Sequence, residues 1–263
     1  MHKTVLSVIG KKFLNLTGAL GRAGLLLGQT IYWIVRGEID WRNTVSQMLE
    51  IGWRSSPVIL LTSLFTGMVL ALQSGSSFRN VFGEPIFIGT LVGFSLVKEL
   101  GPVLTSVVIA GRVGAAIAAE LGTMRVTEQL DALYTLGTNP VRYLSVPRFL
   151  ACMTMIPLLT VMANIIGVLG GLVISTYKWS VPSSVYWQDI FDYMDMGDFF
   201  HGFIKTFFFA GIIVLTSVYQ GFNCDAGAEG VGKATTNTVV ISMVMILVSD
   251  YFLSAILVAL RIG

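Results

Sequence analysis

Charged residues are scarce in this sequence: Asp, Glu, Lys and Arg make up 12% of its 263 residues, whereas 54% are hydrophobic. Soluble domains carry roughly 25% charged residues. A chain with half that fraction has too little polar surface to cover a water-soluble body, so much of its surface must face lipid. The net charge is only +2, and the sequence has no stripe of basic residues interleaved with aromatic ones, which argues against a nucleic-acid-binding protein.

Cysteine and histidine are equally scarce. Cys152 and Cys224 lie far apart in the sequence, which predicts neither a disulfide framework nor a metal site. His2 and His201 are the only histidines, and neither belongs to a pattern typical of a metal site or a catalytic triad. We therefore expect a protein that is not an enzyme and that holds no metal or cofactor of its own.

Long hydrophobic runs are what the sequence does contain. A helix needs roughly 20 residues to cross the hydrocarbon core of a bilayer. Four stretches qualify: Pro57–Ser74, Phe149–Tyr177, Phe199–Phe222 and Thr238–Leu260. A fifth, Ile86–Ala119, is interrupted by Lys98, Glu99 and Arg112, and its length requires it to extend beyond the membrane or to bend at Gly101-Pro102. The sequence therefore predicts five transmembrane helices.

Lysine and arginine are distributed unevenly between the two sides that these helices define. With the N-terminus inside, the inner side holds Lys3, Lys11, Lys12, Arg22, Arg36, Arg42, Arg54, Arg112, Arg125, Arg142, Arg148 and Lys233. The outer side holds Arg79, Lys178 and Arg261. Because basic residues concentrate in cytoplasmic loops, this asymmetry predicts a cytoplasmic N-terminus and a C-terminus on the outer face.

The segment before the first predicted span is amphipathic. Ala23–Val35 is apolar but too short to cross a bilayer, and Arg22 and Arg36 flank it. At about 100° per residue its apolar residues share one face: Phe13, Leu16, Leu20, Ala23, Leu27, Ile31 and Ile34. This pattern favours a helix lying in the membrane interface; a helix packed on the protein's own cytoplasmic loops is the alternative. We expect a single domain, with the interfacial region at 1–50 and the transmembrane region at 51–263.

Two groups of charged residues leave alternatives open. Lys98 and Glu99 lie at membrane depth, where an ionisable side chain normally faces a partner, a cavity or water; they are either the polar wall of a substrate cavity or a structural lock between helices. The inner loop from Glu120 to Arg148 is short and amphipathic, and Thr127 is placed to cap a helix over 128–136. That loop is either a solvated connector or a docking element for a soluble partner.

Two further patterns have plainer explanations. Residues 227–234 match a phosphate-binding loop, but Ala234 stands where Ser or Thr would hold magnesium, and the match is predicted to be a short inner loop. Asp189, Asp192, Asp195 and Asp198 recur every third residue, which favours an acidic, solvated face of an outer-surface helix over a calcium site.

Several stretches together resemble the MlaE-type permeases, the membrane subunits of ABC transporters that traffic phospholipid in Gram-negative envelopes and plastids. The matching stretches are Phe65–Gln73, Lys98–Thr105, Ala110–Leu133, Asn139–Leu144, Pro147-Arg148 and Gly230–Thr236. The resemblance extends from about Gly52 to the C-terminus. It implies an all-α inner-membrane protein that forms a homodimer.

The resemblance also implies partners and roles. The partners are a cytoplasmic ABC ATPase that binds ATP and magnesium, a STAS-domain protein and a periplasmic hexamer of MCE-domain proteins. Residues 120–133 match the coupling helix that docks on the ATPase, which makes Glu120, Arg125, Glu128 and Asp131 the candidate coupling residues. Lys98 and Glu99 match a charged pair in a lipid pocket between protomers, with Gln73 beside it.

The function expected from these observations is ATP-driven movement of phospholipid between the inner membrane and the periplasmic partner, which maintains outer-membrane lipid asymmetry. An amphiphile requires an apolar wall beside a polar ledge, and we expect Leu64, Met68 and Leu72 to supply the wall. The rival interpretation is an ion- or proton-coupled secondary transporter with Glu99 or Asp250 as the relay.

Overall fold

The computed structural model describes residues 5–82 and 87–261, and this part of the chain contains helices and no strands. The α-helices are α1 Val5–Val35, α2 Trp41–Phe82, α3 Ile88–Phe94, α4 Gly101–Ile109, α5 Ala115–Val126, α6 Gln129–Thr135, α7 Val146–Trp179, α8 Ser183–Tyr193, α9 Met196–Phe222 and α10 Gly227–Ala259. The predicted all-α class is confirmed. His2, Lys3 and Ile86, to which the sequence analysis refers, lie outside the described residues.

Within residues 5–82 and 87–261, five helical segments are long and apolar enough to cross a membrane: Trp41–Asn80, Ile88–Val126, Val141–Trp179, Met196–Phe222 and Gly227–Ala259. The five predicted transmembrane helices are therefore confirmed, although most extend well beyond their predicted bounds. The difference is largest in α2, which has Pro57 in its interior and continues through residue 50, where the sequence analysis placed a regional boundary. The helices extend past their apolar runs because polar residues at either end can continue the same backbone hydrogen-bond pattern.

Small residues allow α2 and α7 to pack with their backbones in close approach. Gly67 lies so near α7 that a β-carbon added to it would be 1.8 Å from the carbonyl oxygen of Gly167. A β-carbon on Gly170 would be 2.4 Å from the Leu64 carbonyl oxygen, and the Ser63 hydroxyl donates to the Ala163 carbonyl. Close packing of this kind holds helices together in lipid, where apolar surface alone provides little driving force.

The second membrane segment is continuous but not uniformly α-helical. Wider π-helical turns occur at Ser95–Leu100 and Ala110–Gly114, and a third, Val141–Ser145, precedes α7. Pro102 closely follows the first of these turns and has no backbone N–H to donate to a carbonyl group of that turn. The first π-helical turn contains Lys98 and Glu99, consistent with the frequent occurrence of such turns at functional sites.

Helix α1 packs against α7, α9 and the π-helical turn at 141–145. Among the described side chains of α1, Leu26 and Thr30 are buried, and the Thr30 hydroxyl lies 3.1 Å from that of Ser145, whereas Ile31 is 46% exposed. Leu26 and Thr30 lie roughly 60–100° from the centre of the predicted apolar face. Two residues of that face, Leu27 and Ile31, line a groove together with residues of α7 and α9. The side chains of Phe13, Leu16 and Leu20 lie outside the described part of α1. Location in the membrane interface stays a prediction.

The two ends of the bundle differ in their connections. At one end, here called the α6 end, Arg142 in the turn before α7 pairs with Glu38 in the α1–α2 connection at 2.6 Å. At the other, the α8 end, α3 packs on α8, the short helix that connects α7 to α9 in the chain. The predicted topology makes the α6 end cytoplasmic.

Candidate functional site

The ammonium group of Lys205 is the centre of a buried ionic site on α9. Its side chain is 0% exposed. The Nζ atom donates to Glu99 Oε2 at 2.5 Å and to the Lys98 carbonyl oxygen at 3.2 Å. It also lies 3.1 Å from Asp250 Oδ1 on α10, an ion pair without the alignment of a hydrogen bond. A buried ammonium is tolerable only when its charge and its donors are matched in this way.

Glu99 connects this centre to the surface. Its side chain is 42% exposed, although Oε2 is held by Lys205. The other oxygen, Oε1, lies 3.2 Å from the Ser254 hydroxyl on α10 and 3.7 Å from Nε2 of His201 on α9. Glu99 is therefore the most exposed member of the site, ahead of Lys98 at 21% and Asp250 at 20%.

Lys98 and Glu99 form ion pairs with different residues of α9: Lys98 with Asp198, and Glu99 with Lys205. The Nζ atom of Lys98 lies 2.9 Å from Oδ1 of Asp198, while Oδ2 of Asp198 accepts the backbone N–H of Asp195 at 2.9 Å. Asp195 in turn caps α9, so the two acids form a reciprocal capping box. The expectation of a single solvated acidic helix was wrong: the four aspartates are divided between α8 and α9, and Asp198 is 5% exposed.

These five residues, Lys98, Glu99, Asp198, Lys205 and Asp250, form what we call the ion-pair cluster. Lys205 is nine residues from the start of α9 and Asp250 nine from the end of α10, so at 1.5 Å per residue both lie roughly 14 Å from the α8 end of their helices. Two ammonium groups face three carboxylates, leaving one surplus negative charge when His201 is neutral. The arrangement supplies polar contacts within an apolar bundle and contains no activated nucleophile.

The predicted apolar wall lies on α2. Leu64 and Met68 are half-buried, and Leu72 and Gln73 are exposed. The contacts of Lys98 and Glu99 instead run to α9 and α10. Within one chain the structure thus joins the two charged candidates to new partners, and the shared lipid pocket stays a prediction.

The predicted coupling segment is two helices rather than one. α5 continues to Val126, and α6 covers Gln129–Thr135. Thr127 does not cap α6; its hydroxyl donates back to the Thr123 carbonyl at 2.8 Å. Glu128 forms the corner between the helices in the left-handed conformation, with φ of 59°. The predicted cap was wrong because a hydroxyl next to a preceding helix reaches that helix's carbonyl groups first.

Three of the four coupling candidates have ion-pair partners within the chain. Arg125 pairs with Asp131 at 3.1 Å, bridging the corner, and both side chains are largely exposed. Glu120 pairs at 2.8 Å with Arg148, a nearly buried cation at the start of α7. Glu128, Tyr134 on α6 and Leu136 directly after α6 are exposed. The surface at this end is therefore organised but open.

Residues 227–234, which resemble a phosphate-binding loop, are helical. Gly227 has φ of 87° and begins α10, so the match forms the first turns of that helix rather than the predicted loop. Gly230 lies close to Asp225, and a β-carbon on it would be 2.1 Å from the Asp225 carbonyl oxygen. Tight packing of the α9–α10 turn explains this glycine.

Comparison with known proteins decides the family. A family model described as permease MlaE matches residues 44–256. The chain belongs to the MlaE permease family. This permease is 41% identical over 254 residues to a "Probable ABC transporter permease protein" of Rickettsia bellii, covering 97% of this chain and 98% of that one.

Two further relatives of this MlaE-family permease have more specific names. The "Intermembrane phospholipid transport system permease protein MlaE" of Haemophilus influenzae is 36% identical over 253 residues, 96% of this chain and 97% of that one. "Protein TRIGALACTOSYLDIACYLGLYCEROL 1, chloroplastic" of Arabidopsis thaliana is 37% identical over 231 residues, 88% of this chain and 66% of that one. The family match, the five helices of membrane-spanning length and the name of the Rickettsia relative together establish this permease as an integral membrane protein of the ABC transporter class.

Sequence reasoning missed most partners in the ion-pair cluster of this permease. Asp198, His201 and Lys205 are spaced three and four residues apart on α9, and Asp250 and Ser254 are four apart on α10. Polar residues repeating on one face of an apolar helix are the signal that identifies such a site. The count of basic residues on the two sides leaves out Lys205, which lies within a span, and the rival interpretation assigns Asp250 only the role of a proton relay.

Proposed function

We propose that this chain is the permease of an ABC transporter that moves phospholipid between the inner membrane and a periplasmic MCE-domain partner, which maintains the lipid asymmetry of the outer membrane. The match to the permease family over residues 44–256 carries the proposal. The names of the Haemophilus and Arabidopsis relatives support a lipid or lipid-related cargo. A homodimer, a cytoplasmic ATPase that binds ATP and magnesium, and a STAS-domain protein complete the proposed assembly.

The ion-pair cluster supports a cargo with a polar headgroup. Glu99 presents a partly exposed carboxylate, fixed by Lys205, on the side of the second membrane segment that faces α9 and α10. Only 11% of the most apolar stretch of α10 is buried, so this helix offers a large surface to lipid or to a second copy of the chain. A lipid held between two copies would meet both surfaces.

The predicted coupling surface supports an energy source outside this chain, namely a partner ATPase that docks on it. α6 and the corner at Glu128 project from the α6 end with Asp131, Tyr134 and Leu136 exposed. In the proposed mechanism, closure of the ATPase pushes on this surface and narrows the cavity between the two permease copies. The lipid then passes between that cavity and the periplasmic partner.

The test is purification of the tagged chain from its native membrane in a mild detergent. The proposal predicts co-elution of an ABC ATPase in stoichiometric amount and ATP hydrolysis that is lost when the ATPase is removed. A chain that elutes alone and takes up a solute only when a proton gradient is imposed supports the rival secondary transporter. The observation favouring that rival is the sharing of Lys205 by Glu99 and Asp250.

A further inference from the structure

A second charged cavity lies between the first half of α2 and the segment that runs from the π-helical turn at Ala110–Gly114 into α5. Its volume is about 250 Å³. Glu50 and Arg54 line it from α2, and Arg112 and Glu120 line it from the opposite side. Arg112 is fourteen residues from the end of α5, or roughly 21 Å along the helix at 1.5 Å per residue. The side chain of Arg112 is exposed, so a molecule outside the protein can reach it.

The cavity has one positive charge that the protein does not neutralise. Glu50 is paired with Arg54 at 2.7 Å, and Glu120 is paired with Arg148 at 2.8 Å. Within residues 5–82 and 87–261, Arg112 takes part in none of the ion pairs. With Arg148 counted as the partner of Glu120, three arginines face two glutamates around the cavity, and this surplus charge favours an anion.

A buried hydroxyl adds a second polar contact. Ser55 lines the cavity and is 1% exposed, and its Oγ has no hydrogen-bond partner among the described residues. A buried polar atom is costly unless a partner satisfies it. A guanidinium and a hydroxyl that line the same small cavity can both donate hydrogen bonds to the oxygens of a phosphate.

The surface of α2 next to the cavity is suited to acyl chains. At about 100° per residue, Val58, Leu61 and Phe65 lie within roughly 40° of the direction of Gln47, which also lines the cavity. All three are exposed. The cavity is smaller than the roughly 300–1,000 Å³ of pockets that enclose a whole ligand. It therefore accommodates a headgroup whose hydrocarbon lies outside, along α2.

We propose that this cavity binds the phosphodiester of a membrane phospholipid, with Arg112 and Ser55 as its contacts and the acyl chains along Val58, Leu61 and Phe65. The site lies toward the α6 end, so it holds lipid from the leaflet on that side, separate from the ion-pair cluster. This inference rests on the proposed function in treating phospholipid as the cargo: it adds a lateral loading site on the far side of the membrane from the periplasmic partner.

The experiment uses the full chain in dodecyl maltoside, a detergent without phosphate. A phosphatidylglycerol probe with a diazirine in one acyl chain is added and photolysed, and the adducts are mapped by mass spectrometry. We expect adducts within residues 58–65, and about tenfold fewer in the Arg112→Gln variant, the loss that one charge-assisted hydrogen bond implies. Arg112→Lys should retain most of the labelling. Arg42→Gln is the matched control, because Arg42 lies at the same end of α2 on another side and is not among the cavity-lining residues.

Three results would overturn the proposal. The first is equal labelling of wild type and Arg112→Gln, when both elute at the wild-type volume in size-exclusion chromatography. The second is equal labelling by a diacylglycerol probe that lacks the phosphate. The third is complete displacement by millimolar inorganic phosphate, which would indicate a free-phosphate site. No ATPase is present, so failure here leaves the co-elution test intact, and failure of co-elution leaves the labelling result intact.

Discussion

The charge balance around Lys205 depends on individual residues. Its side chain is fully buried, and its contacts are Glu99, Asp250 and the Lys98 carbonyl. Replacing Lys205 with Met leaves two carboxylates facing each other without their shared cation. We expect a loss of about 3 kcal/mol in the free energy of unfolding, measured as a lower thermal transition in detergent. Lys178→Met, at an exposed position, should leave the transition unchanged; an equal effect of both changes would contradict a structural role for the cluster.

Glu99 has a different expected phenotype, because it is partly exposed and Asp250 remains to balance Lys205. Glu99→Ala should lower ATP-driven lipid transfer several-fold without preventing assembly. The readout is fluorescent-lipid transfer alongside the size-exclusion profile. Glu229→Ala, an exposed acid in the first turn of α10, is the matched control. Normal transfer in Glu99→Ala would remove Glu99 from the lipid pathway.

The close packing of α2 against α7 can be tested by substituting a single glycine. Gly67→Ala brings a β-carbon within 1.8 Å of the Gly167 carbonyl oxygen, so the two helices must separate. We expect a cost of about 2 kcal/mol from overpacking. Gly28→Ala has no atom within 4 Å of the added carbon and should be neutral, or stabilising by up to about 1 kcal/mol. Thermal unfolding followed by tryptophan fluorescence compares the two, and equal transitions would disprove the close packing.

The α5–α6 corner tests the coupling assignment. Reversal of both charges, Arg125→Glu with Glu128→Arg, should weaken ATPase co-purification without unfolding the chain, because exposed ion pairs contribute only about 0–1 kcal/mol. Arg125→Glu with Asp131→Arg restores the ion pair within the chain. If the ATPase contacts Arg125 itself, this second variant stays weak. Unchanged co-purification in the first variant would show that these side chains do not bind the ATPase.

The helices were predictable from the sequence to the extent that one-dimensional patterns determine them. The run from Thr238 to Leu260 identified α10 because apolar length alone defines a membrane span. The π-helical turn at Ser95–Leu100 was not predictable, because an extra residue per turn depends on what packs beside it. The same applies to Lys205 and Glu99, which are 106 positions apart. Sequence showed that each charge needed a partner, but only the packing of α9 on the second membrane segment showed which one.

The orientation in the membrane is a property of the whole molecule, and it is testable by labelling. In a variant without native cysteines, Thr135→Cys on α6 should react with an impermeant maleimide only from the cytoplasmic side, and Tyr177→Cys near the end of α7 only from outside. Native Cys224 would itself contribute little labelling near neutral pH. Burial, and then the nearby Asp225, raise the pKa of its thiol, so the reactive thiolate is scarce. Labelling with the opposite sidedness would reverse the predicted topology.

ATP-driven lipid transfer between vesicles measures the central claim most directly. The permease and its ATPase are reconstituted together, and transfer of a fluorescent phospholipid to acceptor vesicles carrying the periplasmic partner is followed after ATP is added. The account predicts transfer that requires both proteins and stops when the phosphate-binding lysine of the ATPase is replaced. Transfer that proceeds at the same rate without the ATPase, or ATP hydrolysis by the permease chain alone, would contradict it.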